Sequence, residues 1–286
     1  MPGAISPDLQ LDQRLDALAA QFTPLPGVLV AFSGGVDSGV VLAAAVRALG
    51  VDRVVAATAV SPSLPASERG PAVEFAASLG VRHELPRTDE LSRAGYVANA
   101  GDRCAFCKTE LVDVLTPLAA RLGIADVVTG TNADDVRAGF RPGIRAAAER
   151  GAWAPLARAG MTKDDVRAAA RLWDLPLADK PAAACLASRI AYGVPVSADG
   201  LARVEAAEAG LRAALAAAGL PVRDLRVRDL GSDTARVEVD GALVADLLAR
   251  PELLAAVAGF DVVEVDPRGF RSGSMNELLP DPVRYR

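Results

Sequence analysis

The chain has 286 residues, of which 51% are hydrophobic and only 4% aromatic, with a net charge of −5. That length suits one large or two ordinary domains with a sizeable core, and the acidic balance provides no general field for nucleic acid, so no nucleic-acid partner is expected. No run approaches the ~20 apolar residues of a membrane span, residues 1–20 lack the order of a signal peptide, and three cysteines argue against a disulfide framework, so a cytoplasmic protein is expected.

Leu9, Leu11, Leu15 and Leu18 make a helical stripe over 9–21. Residues 28–31 read as a first buried strand, followed by a helix over 39–49 that stops at Gly50. Residues 54–60 predict a second strand and 68–79 a helix closed by Gly80. A short strand over 81–85, a helix over 111–122 and a strand over 125–130 come next. Strands alternating with helices predict an α/β fold with a doubly wound parallel sheet, whose ligands sit at the C-terminal ends of the strands. The residues at those ends are Ala31 with the turn after it, Thr58 to Ser63, and Gly130-Thr131-Asn132. They are expected to converge on one nucleotide site.

The pattern changes near residue 200. A helix over 200–219, a hairpin of 222–230 and 234–239, helices over 242–248 and 251–258, and a strand over 262–265 predict a smaller C-terminal α+β domain. The expected units are 1–197 and 198–286. The tail from 266 is rich in Pro, Gly, Ser and Arg and is expected to wrap the surface.

Ser33-Gly34-Gly35-Val36-Asp37-Ser38 lies between the first strand and its helix. A helix start offers unpaired N–H groups and a positive dipole end, which suit phosphate. Gly34 and Gly35 allow close backbone approach, Ser33 and Ser38 add hydroxyls, and Asp37 can reach a phosphate-bound Mg2+. The alternative is a plain Gly-Ser turn. Asp134 and Asp135 follow the fourth strand, as further Mg2+ candidates or as helix N-terminal charge.

Cys104 and Cys107 form a C-x-x-C pair, and Cys185 lies in a loop over 180–189. Three thiolates suit a [4Fe-4S] cluster with one open iron, or zinc if His83, the single histidine, supplies a fourth ligand. A redox pair and three unrelated cysteines are the other readings. Arg103 and Lys108 beside the pair are expected to favour thiolates. Glu208 fills a gap in the apolar stripe of Leu201, Val204, Leu211 and Leu215. It is either a functional buried carboxylate or a surface group, with Ala207 taking the core position. Arg226 and Arg228 share one strand face and suit a phosphate, unless they pair across the hairpin with Glu238 or Asp240.

SGGVDS after a buried strand resembles the PP-loop of ATP pyrophosphatases, which implies ATP cleavage to AMP and pyrophosphate during adenylylation. The wider set of motifs is similar to the LarE family. These are SGGVDS, DRCAFCK at 102–108, GTNADD at 130–135, RPG at 141–143, CLASRIAYG at 185–193 and GFRSGSMN at 269–276. The resemblance runs in order along nearly the whole chain. It implies a PP-loop fold of the adenine nucleotide alpha-hydrolase-like type. It also implies an ATP- and Mg2+-dependent sulfur transferase of nickel-pincer nucleotide synthesis. The substrate would be pyridinium-3,5-biscarboxylic acid mononucleotide, whose carboxylates become thiocarboxylates.

One family type gives up the sulfur of its own cysteine, and Cys185 matches that position. The other holds a [4Fe-4S] cluster on three cysteines, which Cys104, Cys107 and Cys185 match. The cluster type is favoured, because a C-x-x-C pair has no role in the sacrificial route. Sulfide or another sulfur donor would then be a partner, and a homo-oligomer is expected. Ser188 and Arg189 are expected near AMP or substrate, Arg226 and Arg228 on the substrate phosphate, and Arg271 and Ser274 on the substrate phosphate of a neighbouring subunit. A PP-loop tRNA thiolase is the first rival and needs a basic face or RNA module. An amide-forming synthetase needs an ammonia source. A nucleotide or metal sensor on the same fold would bind ATP without releasing pyrophosphate.

Overall fold

Val28, Leu29, Val30 and Ala31 are all buried, as a strand covered on both faces requires. In the computed structural model, which describes residues 7–138, 142–181, 184–271 and 273–279, these four form β1. α1 (Pro7–Phe22) precedes it and α2 (Val36–Leu49) follows it. Then come β2 (Val54–Ala57), α3 (Ala66–Ser78), β3 (Arg82–Glu84), α4 (Ala94–Val97), α5 (Arg103–Arg121) and β4 (Asp126–Thr129). The four strands are parallel in the order β3-β2-β1-β4. This is the expected doubly wound α/β sheet, with its switch point between β1 and β4.

The side-chain period of two sorts the sheet into two cores. Val28 and Val30 pack with Leu18 and Phe22 of α1, Val40 and Val41 of α2, and Phe75 of α3. Leu29 and Ala31 pack on the other face with Val112, Leu115 and Leu118 of α5. Gly50 (φ 82°) and Gly80 (φ 71°) follow α2 and α3, in the left-handed region that makes glycine a favoured terminator.

Several boundaries differ from the expectation. α2 starts at Val36, so Asp37 and Ser38 lie in its first turn rather than before it. β2 is shorter, and Val60 pairs with Arg87 only as an isolated bridge. α5 begins at Arg103, which puts the C-x-x-C pair on a helical turn. Between β4 and residue 198 the chain forms α6 (Ala133–Arg137), α7 (Pro142–Ala148), α8 (Pro155–Arg158) and α9 (Lys163–Leu172), of which only the start of α6 was foreshadowed, by Asp134 and Asp135. Reciprocal capping boxes, Asn132 with Asp135 and Thr162 with Asp165, start α6 and α9.

α10 (Ala198–Ala217) leads into a second, mixed sheet. β5 (Leu225–Asp229) pairs antiparallel with β6 (Thr234–Val239), which pairs parallel with β7 (Val262–Val265). α11 (Val244–Ala249) lies between β6 and β7 in sequence. Ala207, Leu211 and Leu215 of α10 pack on this sheet. Leu201 and Val204, about two and one turns earlier, pack instead with Tyr96, Leu186 and Ile190. α10 thus ties the second sheet to α4 and to the segment around Leu186 and Ile190 through two successive cores. No described helix is long and apolar enough to cross a membrane. Of the sequence motifs, Arg141, Ser272, residues 182–183 and the tail from 280 lie outside the described residues.

Candidate functional site

The turn after β1 is built by its own hydroxyls. Ser38 Oγ accepts from the Ser33 backbone N–H at 3.1 Å, donates to the Gly35 carbonyl at 3.1 Å and contacts Ser33 Oγ at 3.1 Å. Gly34 takes φ 75°, conformational room that a side chain would lack. Gly130, at the end of β4, is pressed against the start of α2. A Cβ there would stand 2.6 Å from the Ser38 nitrogen and 2.8 Å from its Cα. The PP-loop and the end of β4 therefore meet through backbone.

Asp37 is held from two sides. Lys163 Nζ, from the first residue of α9, donates to Oδ2, and Asn132 Nδ2 donates to Oδ1 at 3.1 Å. Asn132 also caps α6, accepting from the Asp135 N–H at 2.9 Å while Asp135 accepts from its own N–H at 3.3 Å. Asp134 accepts from the Lys163 backbone at 2.8 Å. Both aspartates therefore carry the helix-terminal role, and Asp135 in addition lines the cleft described next. The loop contains no lysine of its own, but Lys163 and Lys180 reach it from far along the chain.

A cleft of about 400 Å3 opens over these strand ends. Ala31, Ser33, Asp37, Ser38, Thr58, Ser63, Gly130 and Thr131 all line it, together with Cys107, Lys108 and Cys185. Asn132 stands behind, through its bond to Asp37. Thr58 donates to the Phe32 carbonyl at 2.7 Å, so its oxygen accepts from His83 Nε2 at 2.8 Å. Burial lowers the His83 pKa against the opposing charge of Glu84. The imidazole is thus a neutral prop for the end of β1 rather than a ligand beside the cysteines. Ser63 meets the buried Tyr96 hydroxyl at 2.5 Å.

Cys104 and Cys107 project from the first turn of α5, Cys104 and Cys185 are exposed, and Cys107 is half-buried. Burial and the charge of Cys185 push the Cys107 thiol up to about 12, against Lys108. The expected thiolate-favouring effect of Lys108 therefore loses to desolvation at that position. Arg103 is buried and turned inward, donating to Asn99 Oδ1 at 2.5 Å and the Ala187 carbonyl at 2.8 Å. Among the described residues, no three His, Cys, Asp or Glu side chains stand as a group that could hold one metal ion.

On the far side of Ala184, which lines both spaces, lies a second cavity of about 150 Å3. Arg103, Ser188, Arg226, Arg228, Phe270 and Ser274 line it. Arg228 makes the cross-strand pair with Glu238 (2.7 and 3.0 Å), but as a buried pair rather than a surface one. Arg226 is buried under Phe270, its ring centroid 5.1 Å away. Burial and the charges of Arg189 and Arg228 push the Arg226 pKa down to about 10, with Glu208 opposing. A cavity in which one guanidinium is depressed by its cationic neighbours favours an anionic guest.

Ser274 bonds Glu238 at 2.8 Å and Arg228 at 3.3 Å. Within the chain the tail thus folds onto Arg228 through Ser274 and onto Arg226 through Phe270. Arg271 is turned onto Glu277 and Asp266. Glu208 settles its two readings unevenly. Ala207 takes the core position, while Glu208 binds Arg189 at 2.9 and 3.2 Å and accepts from the Val227 N–H at 3.1 Å. Arg189 in turn donates to the carbonyls of Ala184 and Cys185.

The geometry therefore sets a phosphate-type turn and two of the cysteines around one cleft, beside a cationic cavity. No family model matches the chain. It is 40% identical over 274 residues to an uncharacterized protein of Synechocystis, covering 94% of this chain and 99% of that one. An uncharacterized protein of Methanocaldococcus jannaschii is 25% identical over 247 residues, 86% of this chain and 91% of its own length. The pyridinium-3,5-bisthiocarboxylic acid mononucleotide synthase of Lactiplantibacillus plantarum is 36% identical over 265 residues, 92% of this chain and 93% of that enzyme. With that identity along nearly the whole of both chains, and with the motifs converging as described, the protein belongs to the LarE family of enzymes.

Proposed function

We propose that this enzyme is an ATP-dependent sulfur transferase that converts the carboxylates of pyridinium-3,5-biscarboxylic acid mononucleotide to thiocarboxylates. The observation that carries this reading is that Cys185 and the PP-loop line one cleft, which adjoins the arginine cavity at Ala184. A carboxylate is a poor acyl donor, being anionic with a bad leaving group. Its oxygen attacks the α-phosphorus of ATP, pyrophosphate leaves, and the acyl adenylate forms. A sulfur nucleophile then attacks the carbonyl carbon and AMP departs with the carboxylate oxygen.

In this reading the N–H groups at the start of α2, with Ser33 and Ser38, cradle the pyrophosphate. Asp37 and Asp135, both lining the cleft, are the carboxylates suited to Mg2+, whose bound charge would offset that of the phosphates. Thr58, Ser63, Gly130 and Thr131 border the nucleotide. Arg226 and Arg228 hold the substrate phosphate, with Ser188 and Arg189 at the junction.

Three thiols, two of them on one helical turn, are the donor chemistry a [4Fe-4S] cluster takes, and Cys107 lies near enough to Cys185 and Cys104 for their charges to raise its thiol. We assign the cluster to these three, their gathering being part of its loading. When bound it supplies an iron that accepts sulfide as ligand. The sacrificial use of Cys185 is the competing sulfur source. Residues 1–197 would be the nucleotide unit and 198–286 the substrate-phosphate unit, in a cytoplasmic homo-oligomer supplied by sulfide or a sulfur donor.

The test is pyrophosphate release with ATP, Mg2+ and the mononucleotide, read beside product mass. Release that depends on the mononucleotide, yields thiocarboxylate and is lost in Asp37→Asn supports the reading. Release without sulfur incorporation contradicts it. Anaerobic iron and sulfide analysis with intact protein mass separates the two sulfur sources. Iron with unchanged mass marks the cluster, and no iron with loss of the Cys185 sulfur marks the sacrificial route.

A further inference from the structure

Lys180 stands five positions before Cys185, and nothing in the chemistry above employs it. Its Nζ donates to the Gly34 carbonyl at 2.9 Å and to Glu68 Oε2 at 2.6 Å. Both side chains of that ion pair are less than one-fifth exposed. The space beside the Gly34 Cα is filled by Ala72 and Glu68 of α3, so the ammonium, the helix and the turn form one packed unit.

The chain that carries Cys185 is tied at several further points. Arg167 donates to the carbonyls of Ala178 and Lys180 at 2.6 and 3.2 Å. The Leu186 N–H donates to the Ser63 carbonyl at 2.9 Å. Arg189 holds the carbonyls of Ala184 and Cys185 at 2.6 and 3.1 Å. Of these ties, the one made by Lys180 ends on the PP-loop itself.

We propose that Lys180 is a positioning residue that couples occupancy of the PP-loop to the placement of Cys185. An anion received by the N–H groups of the loop polarises its peptides, and hydrogen bonds in series strengthen one another. The Gly34 carbonyl becomes a better acceptor for the ammonium, which the phosphate charge also attracts. Both effects favour the state in which Lys180 is docked, and Cys185 lies only five positions further along the chain. Coupling of this kind is reciprocal, so a docked segment also favours the nucleotide. The inference rests on the reading of the loop as the ATP site.

The test is hydrogen–deuterium exchange of the 184–190 peptide in the full chain, isolated anaerobically with whatever metal it carries. It is run with and without α,β-methylene-ATP and Mg2+, beside calorimetric binding of the same analogue. In the wild type, saturating analogue is expected to slow exchange by about fivefold or more. Lys180→Met is expected to lose that slowing at its own saturating concentration, with a matching fall in affinity, and Lys180→Arg to regain it in part. Unchanged slowing in Lys180→Met overturns the proposal, since a merely structural lysine would lower Tm and leave the response intact. Binding without any slowing in the wild type overturns it as well. No binding of the analogue in the wild type instead overturns the ATP reading, and the coupling with it.

Discussion

Arg189 and Glu208 form a two-point pair, Nε to Oε1 at 2.9 Å and Nη2 to Oε2 at 3.2 Å, that joins α10 to the loop bearing Cys185. The arginine side chain is 5% exposed and the glutamate 15%. Removing one partner strands a buried charge, which costs more than the pair itself contributes.

Glu208→Ala is therefore expected to destabilise the fold by about 3 kcal/mol, read as a lower urea midpoint. Glu208→Gln keeps an oxygen for the Val227 N–H and for Arg189, and is expected to cost less than half as much. An equal cost for the two variants would mean that the charge of Glu208 alone matters.

Gly130→Ala tests the contact between β4 and the start of α2. The new Cβ would meet the backbone of Ser38 at 2.6 and 2.8 Å, and backbone cannot swing aside as a side-chain tip can. A stability loss of about 1–3 kcal/mol is expected, with nucleotide affinity falling more than the fold does. Nucleotide binding at wild-type strength would show that the loop is not positioned through this contact.

Much of this was legible because it is local. The strand at 28–31, the turn and the helix after it follow one another within about twenty residues, and each signal is short in range. The period of two placed Arg226 and Arg228 on one face and named Glu238 as partner, but could not show that the pair is buried. The apolar stripe singled out Glu208, yet Ala207 fills the core because alanine fits an interior and a surface equally well. The same alanine richness blurred 133–172, where four helices lie. Lys163 and Lys180 were not legible at all. They meet the loop across 126 and 146 residues of sequence, and only the packing of α9 and of the segment after it brings them there.

Arg226→Gln is expected to raise KM for the anionic mononucleotide by roughly tenfold or more, the loss of a charge-assisted contact, with kcat little changed. The readout is the split between the two constants, beside unchanged nucleotide affinity. A fall in kcat at constant KM would place Arg226 in the chemical step instead of in substrate binding.

Cys107 gives the pH dependence of the metal-free protein. Its thiol is raised from an ordinary value of 9.0 to about 12 by burial and by the charge of Cys185. The folded state therefore keeps its proton where the unfolded chain has lost it. The associated stability is full below about pH 9 and falls as pH rises towards 12. Denaturant midpoints are expected to decline over that window in the wild type and to decline less in Cys107→Ala. At pH 8, alkylation is expected to reach the exposed Cys104 and Cys185 about tenfold faster than Cys107.

The most direct measurement follows the oxygen that sulfur replaces. The mononucleotide carries heavy oxygen in its carboxylates and is turned over with unlabelled ATP, Mg2+ and a sulfur source. Mass spectrometry then reads the AMP and the pyrophosphate. Transfer through an acyl adenylate predicts the label in the phosphate of AMP, with none in pyrophosphate. Thiocarboxylate formed alongside unlabelled AMP would contradict the account, because the carboxylate oxygen would then have left by another route.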